Sequence, residues 1–251
     1  MKTTSWNAVA PWYHDLVGER GHYYHQHVIW PALARRLRVK PGDHVLELGC
    51  GQGVYARTLP PGVHYLGIDL SRTLVQAAAR QDRDQAHRYQ VGDATHDLAL
   101  APQTYDHALS ILALQNMVAA DQAIAQMARA VKRGGDLSLV LNHPAFRIPR
   151  QSSWGEDAAT KVTYRRVDRY LSPLEIPVNA HPGDKTSPVT WSYHQPLSYY
   201  IDALAAHGCY LVHLDELVSD RESQGKKRRT ENRARAEFPL FAYLYAVKIR
   251  D

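Results

Sequence analysis

Residues 45–53 read Val-Leu-Glu-Leu-Gly-Cys-Gly-Gln-Gly, an apolar run that breaks into glycine at every second position. An apolar strand stopping at such a turn belongs to a sheet whose strand ends present backbone to a ligand. Glycine takes positive φ at little cost and lets the main chain come close to a bound group. Where the turn opens a helix, the unpaired N–H groups and positive dipole end of the first turn suit a nucleotide or a carboxylate. Two nucleotide motifs fail on spacing. The dinucleotide fingerprint G-x-G-x-x-G/A needs a small residue at 54, where Val54 stands. The phosphate loop needs Gly-Lys-Ser/Thr, which does not follow.

The surrounding chain alternates strand and helix. Ile29, Leu33 and Leu37 mark a helix stripe, with Pro31 in its first turn, and Pro41-Gly42-Asp43 marks a turn before the strand His44–Leu48. Val63–Ile68 reads as a second strand, followed by Asp69 and a helix capped by Ser71 that carries Leu74, Val75 and Ala78. His87–Val91 reads as a third strand and Tyr105–Leu114 as a fourth. Ile124, Met127, Ala128 and Val131 follow helical spacing, with Gly134-Gly135 as the expected left-handed cap. Leu137–Leu141 is a fifth strand. The regular pattern is lost over 143–196, which is too long for a plain connection and reads as an insertion with a function. A helix with Leu197, Tyr200, Ile201 and Leu204 inward ends at Gly208. Cys209–Leu214 and Phe238–Ile249 read as final strands able to pair antiparallel, around a charged, exposed helix near 226–237. The expected fold is α/β: a Rossmann-like, doubly wound, seven-stranded, mostly parallel sheet with an antiparallel last strand. One domain is expected over 1–251, divided into an N-terminal helical lid (1–40), a cofactor-binding core (41–142), an acceptor-side insertion after strand five (143–196), and C-terminal helix and strands (197–251).

Composition narrows the setting. With 251 residues and 45% apolar content the chain can bury a core, and no apolar run reaches the roughly 18 residues of a membrane helix. The N-terminus lacks the apolar stretch of a signal peptide. Two cysteines, Cys50 and Cys209, cannot form a disulfide framework. A cytoplasmic location with no membrane association is expected. The net charge of +5 fits a soluble surface, and the one basic run, Lys226–Arg229, alternates onward with Glu231 and Glu237 as a solvated helix face would. A nucleic-acid partner is therefore not expected. His22, His25 and His27 cluster, but no acid or cysteine completes a ligand set, so no metal is expected. The 14 histidines and 15 tyrosines gather in the lid and the insertion.

Three motifs together resemble the class I S-adenosylmethionine-dependent methyltransferases: Glu47-x-Gly49-x-Gly51-x-Gly53, then Gly67-Ile68-Asp69-Leu70-Ser71, then Gly92-Asp93-Ala94. Residues 17–27, 142–150 and 191–194 further resemble a bacterial subgroup often labelled type 11. The resemblance implies S-adenosylmethionine as cofactor and S-adenosylhomocysteine as product. It implies that the turn with Gly49, Cys50, Gly51 and Gly53 wraps the methionine part of the cofactor, and that Glu47 is a further cofactor-binding residue. It implies that Asp69, with Leu70, holds the ribose and that Asp93, with Ala94, meets the adenine. These roles suit an ionised carboxylate, which only accepts hydrogen bonds.

Ligands of open parallel sheets lie beyond the carboxyl ends of the strands. That puts Gln115 and Asn116 after strand four, and Asn142 and His143 after strand five, near a methyl acceptor, with His143 as the candidate base. From the lid, Tyr24 is expected to bind substrate or cofactor and His25 to act in catalysis; from the insertion, Arg147 is expected beside the acceptor, as arginine among aromatics suits anions and rings. The expected reaction is methyl transfer to an oxygen or nitrogen of a small aromatic or anionic molecule, by a monomer or homodimer. An RNA or protein methyltransferase, and a noncatalytic cofactor-binding regulator, are the alternatives.

Overall fold

Apolar side chains alternate along the central strands, and this two-sided burial dictates a sheet covered on both faces. The computed structural model describes residues 6–179 and 187–250. Seven strands form one sheet: β1 (His44–Leu48), β2 (His64–Asp69), β3 (His87–Val91), β4 (Tyr105–Ile111), β5 (Val131–Asn142), β10 (Cys209–Leu217) and β11 (Phe241–Lys248). Their order is β10-β11-β5-β4-β1-β2-β3. β1 to β5 pair in parallel, while β11 runs antiparallel to both β5 and β10. Strand order reverses between β1 and β4, the point at which open α/β sheets bind ligands.

On one face Leu46, Leu48, Leu137, Leu139 and Leu141 pack under α4 (Ala120–Ala130) and α5 (Leu197–Ala206), through Ile124, Met127, Tyr200 and Leu204. On the other, Val45, Leu109, Val140 and Tyr243 pack under α2 (Trp30–Arg36) and the turn before it, through Ile29, Ala32 and Leu33. Pro31 lies in the first turn of α2 as the sequence implies, and a π turn over His25–Ile29 leads into it. α1 (Ala10–Val17) follows a short 3-10 turn near the chain start, and α3 (Arg72–Gln81) is capped by Ser71, whose hydroxyl accepts from the Leu74 N–H at 3.3 Å. The far end of the sheet carries a buried polar cluster: the His107 ring lies between Asp136 (2.8 Å) and Asp43 (3.2 Å), and both carboxylates hold its pKa up against burial.

Three expectations change. The glycine turn opens no α-helix: residues 49–55 form turns, and one 3-10 turn spans Ala56–Thr58. Gly49, Gly51 and Gly53 all have positive φ (77°, 55° and 70°), which right-handed helix cannot contain, so a helix dipole is not what this turn offers. The helix before strand five ends at Ala130 because Val131 is already extended, and β5 begins there rather than at Leu137; Gly134 lies inside β5 and caps nothing. The insertion is built of two β-hairpins, β6 (Ser152–Asp157) with β7 (Val162–Val167), and β8 (Leu174–Asn179) with β9 (Val189–His194). α6 (Arg228–Glu237), the exposed charged helix, stands against β7, and Lys227 just before it pairs with Glu156 of β6 at 2.7 Å.

Candidate active site

A cavity of about 890 Å³ opens at the carboxyl ends of the parallel strands. Its floor on one side is the glycine turn. The Gly49 and Cys50 N–H groups both donate to Ile68 O (2.7 and 3.1 Å), which folds the turn back over β2. A Cβ on Gly49 would stand 2.3 Å from the Ala113 Cβ, so the turn closes on the chain after β4 only because residue 49 has no side chain. Asp69, ending β2, fastens this arrangement. One carboxylate oxygen accepts from the Gly51 N–H at 2.9 Å and the other from the Ser71 N–H at 2.8 Å. Burial raises the Asp69 pKa, while those two N–H groups pull it down. Asp93 accepts from the Thr95 N–H and hydroxyl (2.9 and 2.7 Å), and its pKa is lowered although burial opposes that.

The N-terminal segment roofs this half. Trp6 and Tyr13 line the cavity with their rings edge to face at 5.4 Å, and Tyr13 lies over Gly51. Burial, with Asp69 and Glu47 nearby, raises the Tyr13 pKa, so its hydroxyl keeps its proton. The roof is latched. His14 Nδ1 meets Gln52 Oε1 at 2.7 Å, Gln52 Nε2 donates to Gly18 O at 2.6 Å, and Arg57 donates to Gln52 O and Glu19 O.

Gln115 lies in the turn after β4. Its Nε2 donates to Leu112 O at 2.8 Å, while its buried Oε1 has no partner. The Leu112 carbonyl needs a donor, which fixes which end of the amide is oxygen. A buried acceptor without a partner, in a residue of the cavity wall, is a candidate to take a donor from a ligand.

A model of the methyltransferase domain family matches residues 46–139. Among solved structures, an S-adenosylmethionine-dependent methyltransferase from Mesorhizobium loti is 26% identical with a TM-score of 0.69, covering 87% of this chain and 96% of that one. Among curated proteins, a demethylmenaquinone methyltransferase of Lactobacillus johnsonii is 28% identical over 114 residues, 42% of this chain and 46% of its own length. An O-methyltransferase of Penicillium expansum is 31% identical over 132 residues, 48% of this chain and 47% of its own. The chain thus spans about half the length of these curated relatives. Over residues 46–139 it carries a methyltransferase domain, and nearly its whole length is similar to an S-adenosylmethionine-dependent methyltransferase.

The family's cofactor is S-adenosylmethionine, and the residues present fit it. The glycine turn leaves backbone open at Gly49 and Gly51. Asp69 uses two of its roughly four acceptor sites and keeps the rest for a donor such as a diol. Gln115, in the same wall, has a buried Oε1 without a partner. Of the residues read from sequence, Gly49, Gly51, Asp69, Leu70, Asp93 and Ala94 meet in one half of the cavity wall, and Tyr24, His25, Gln115, Asn116, Asn142 and Arg147 also line it.

Four do not reach the cavity. Glu47 alternates onto the α2 side of the sheet, where it accepts from the Tyr65 hydroxyl, and burial pushes its pKa up to about 8. Cys50 points beneath the turn against Gly67, and Gly53 backs onto Tyr89. His143, expected as a base, organises its own loop. Its Nδ1 accepts from the Ala145 and Phe146 N–H groups (3.2 and 3.3 Å), and its Nε2 lies 2.9 Å from Glu216. Both ring nitrogens are committed, and burial lowers its pKa although Glu216 opposes that. His143→Ala, by leaving two N–H groups unpaired, is expected to lower the unfolding free energy by about 1–3 kcal/mol in urea melts.

His25 does line the cavity, but burial and the neighbouring His22 lower its pKa to about 4. Its Nδ1 accepts from the His22 N–H at 3.0 Å, so the neutral ring carries its proton on Nε2. At neutral pH His25 is a hydrogen-bond donor and a poor base. Trp6, Tyr13, Met117 and Phe241 complete the wall unforeseen. Phe241 reads in sequence as one more core residue of the last strand, and only its place at the strand's start turns it to the cavity.

Proposed function

We propose that this chain transfers a methyl group from S-adenosylmethionine to an oxygen or nitrogen of a small molecule. One observation carries the reading: a single cavity runs from the glycine turn and Asp69 to Tyr24, Arg147 and Phe241. Ligand pockets span about 300–1,000 Å³, and this one lies near the upper end, with room for a cofactor and an acceptor together. When bound, the cofactor supplies a sulfonium-activated methyl group and a neutral thioether leaving group.

The chain's own residues bind, orient and exclude water. Asp69 and Asp93 accept hydrogen bonds from the nucleoside, Gly49 and Gly51 admit the methionine part, and Trp6 and Tyr13 cover it. Aligning two reactants in this way is worth up to about 7–11 kcal/mol of the barrier, so no strong base is required of the site. A base matters only where the acceptor must shed a proton. Compact relatives named for quinone and O-methyl transfer support a small-molecule acceptor. The β8–β9 hairpin lends Val178, Thr190 and Ser192 to the cavity and the β6–β7 hairpin lends Ser152 and Arg165, walls sized for a small acceptor.

The test uses the whole chain, methyl-labelled S-adenosylmethionine and a fractionated cell extract. Label is expected in the small-molecule fraction. Label in RNA or protein instead, or none beyond an enzyme-free control, overturns the reading.

A further inference from the structure

The cavity is divided by charge, and the division follows sheet order. Among the described residues that line it, the carboxylates are Asp69 and Asp93. Asp69 ends β2 and Asp93 follows β3, at one end of the strand order. The guanidinium groups are Arg147 and Arg165. Arg147 follows β5 and packs against Phe241 at the start of β11, on the other side of the β1/β4 reversal. The two ends of one cavity therefore present opposite charges.

The two arginines differ in what they have left to give. Arg165 is spent on the protein: its Nε and Nη2 donate to Phe146 O at 2.8 and 2.6 Å, its Nη2 also reaches Ser152 Oγ at 2.8 Å, and Trp154 lies under it at 5.0 Å. Arg147 lies with its Cζ 5.4 Å from the Phe241 ring centroid. Tyr24 stands edge-on to that same ring at 5.8 Å. Among the described residues no carboxylate pairs with Arg147, and burial together with the Arg165 charge lowers its pKa. A guanidinium held against a ring, repelled by a second cation and facing a cavity, is short of one thing, an anion. Its planar fork matches the two oxygens of a carboxylate, or two of a phosphate, in bidentate fashion.

We propose that the β5–β11 end of the cavity is an oxyanion subsite, in which Arg147 binds the carboxylate or phosphate of an aromatic acceptor whose ring lies among Phe241 and Tyr24. This rests on the methyltransferase reading. An oxyanion neutralised by a guanidinium is a poor nucleophile, so it serves as the handle, and the methylated atom is a different oxygen or nitrogen of the same molecule.

The test is calorimetry with matched probes: 4-hydroxybenzoate against 4-hydroxybenzamide, and 4-hydroxyphenyl phosphate against hydroquinone. Each is titrated with and without S-adenosylhomocysteine. In the wild-type chain at least one anion is expected to bind ten-fold or more tightly than its neutral mate. Arg147→Gln should bring that anion down to the neutral level, and Arg147→Lys should keep part of the preference. The better of the two anions tells carboxylate from phosphate. Equal binding of charged and neutral probes, no binding of either anion, or a preference that survives in Arg147→Gln overturns the proposal. Titration of S-adenosylhomocysteine alone is the separate check: its failure in the wild type sinks the methyltransferase reading, and its retention in Arg147→Gln shows that the variant is folded.

Discussion

Asp69→Asn is expected to weaken S-adenosylhomocysteine binding by roughly 100-fold or more, and the reason lies in two tasks that one carboxylate performs. Its oxygens accept from the Gly51 and Ser71 N–H groups at 2.9 and 2.8 Å, holding the glycine turn against the end of β2. The lone pairs left over face the cavity. Asparagine is nearly the same size, but it offers one acceptor oxygen and an amino group. One of the two backbone N–H groups would then meet another donor, and the turn would lose a fastening just where the cofactor lies. Hydrogen bonds to a charged group are worth about 1.5–3 kcal/mol each, so losing one in the turn and one to the ligand costs about 3–6 kcal/mol. Because burial raises the Asp69 pKa, affinity in the wild-type chain should also start to fall, as pH drops, earlier than an ordinary aspartate would give. Protonation adds a donor and removes acceptor capacity. Asp69→Asn should flatten that acid limb. Calorimetry from neutral to acid pH measures both effects, and an affinity change under about five-fold would falsify the double role.

The parallel core was legible because its physics is local. Leu46 and Leu48 alternate with Val45, Ser71 stands one residue before α3, and Ile124, Met127 and Ala128 recur at helical spacing. Each feature determines an element without help from distant residues. The glycine turn was legible as a ligand site but not as a structure. Its motif suits either a helix start or a plain turn, and the three positive-φ glycines decide for the turn. The hairpins of the insertion were not legible. β6 and β7 bury no residue fully, so no apolar alternation marks them. The site divided along the same line. Asp69, Asp93 and Gly49 follow from a motif bound to backbone geometry. His143 follows from its position after a strand, and position does not reveal that Nδ1 would be taken by two N–H groups of its own loop. Glu47 fails for a similar reason: motif membership says nothing of which sheet face its side chain takes, and strand alternation sends it to Tyr65.

The other large effect comes from the smallest change. Gly49→Ala adds one methyl group, which would lie 2.3 Å from the Ala113 Cβ and 3.3 Å from the Met117 Cε, at a φ of +77°. Two costs combine. A non-glycine residue in the left-handed region loses about 1–2 kcal/mol. Forcing a methyl into packed surroundings loses about another 1–3 kcal/mol. A total near 2–5 kcal/mol is expected in urea melts, together with loss of S-adenosylhomocysteine binding, since any relief must move either the turn or the segment that carries Gln115. The two costs can be separated. Removing the opposing methyl, in Gly49→Ala/Ala113→Gly, relieves the overlap and leaves the dihedral cost. The double variant should therefore regain stability over Gly49→Ala, by up to about 3 kcal/mol less whatever Ala113→Gly costs alone. If the double variant is no more stable than the two single changes added together, contact with Ala113 is not what requires glycine at 49. The dihedral angle would then carry the whole effect, and Gly49→Asn, which tolerates the left-handed region better than alanine, would be the milder substitution.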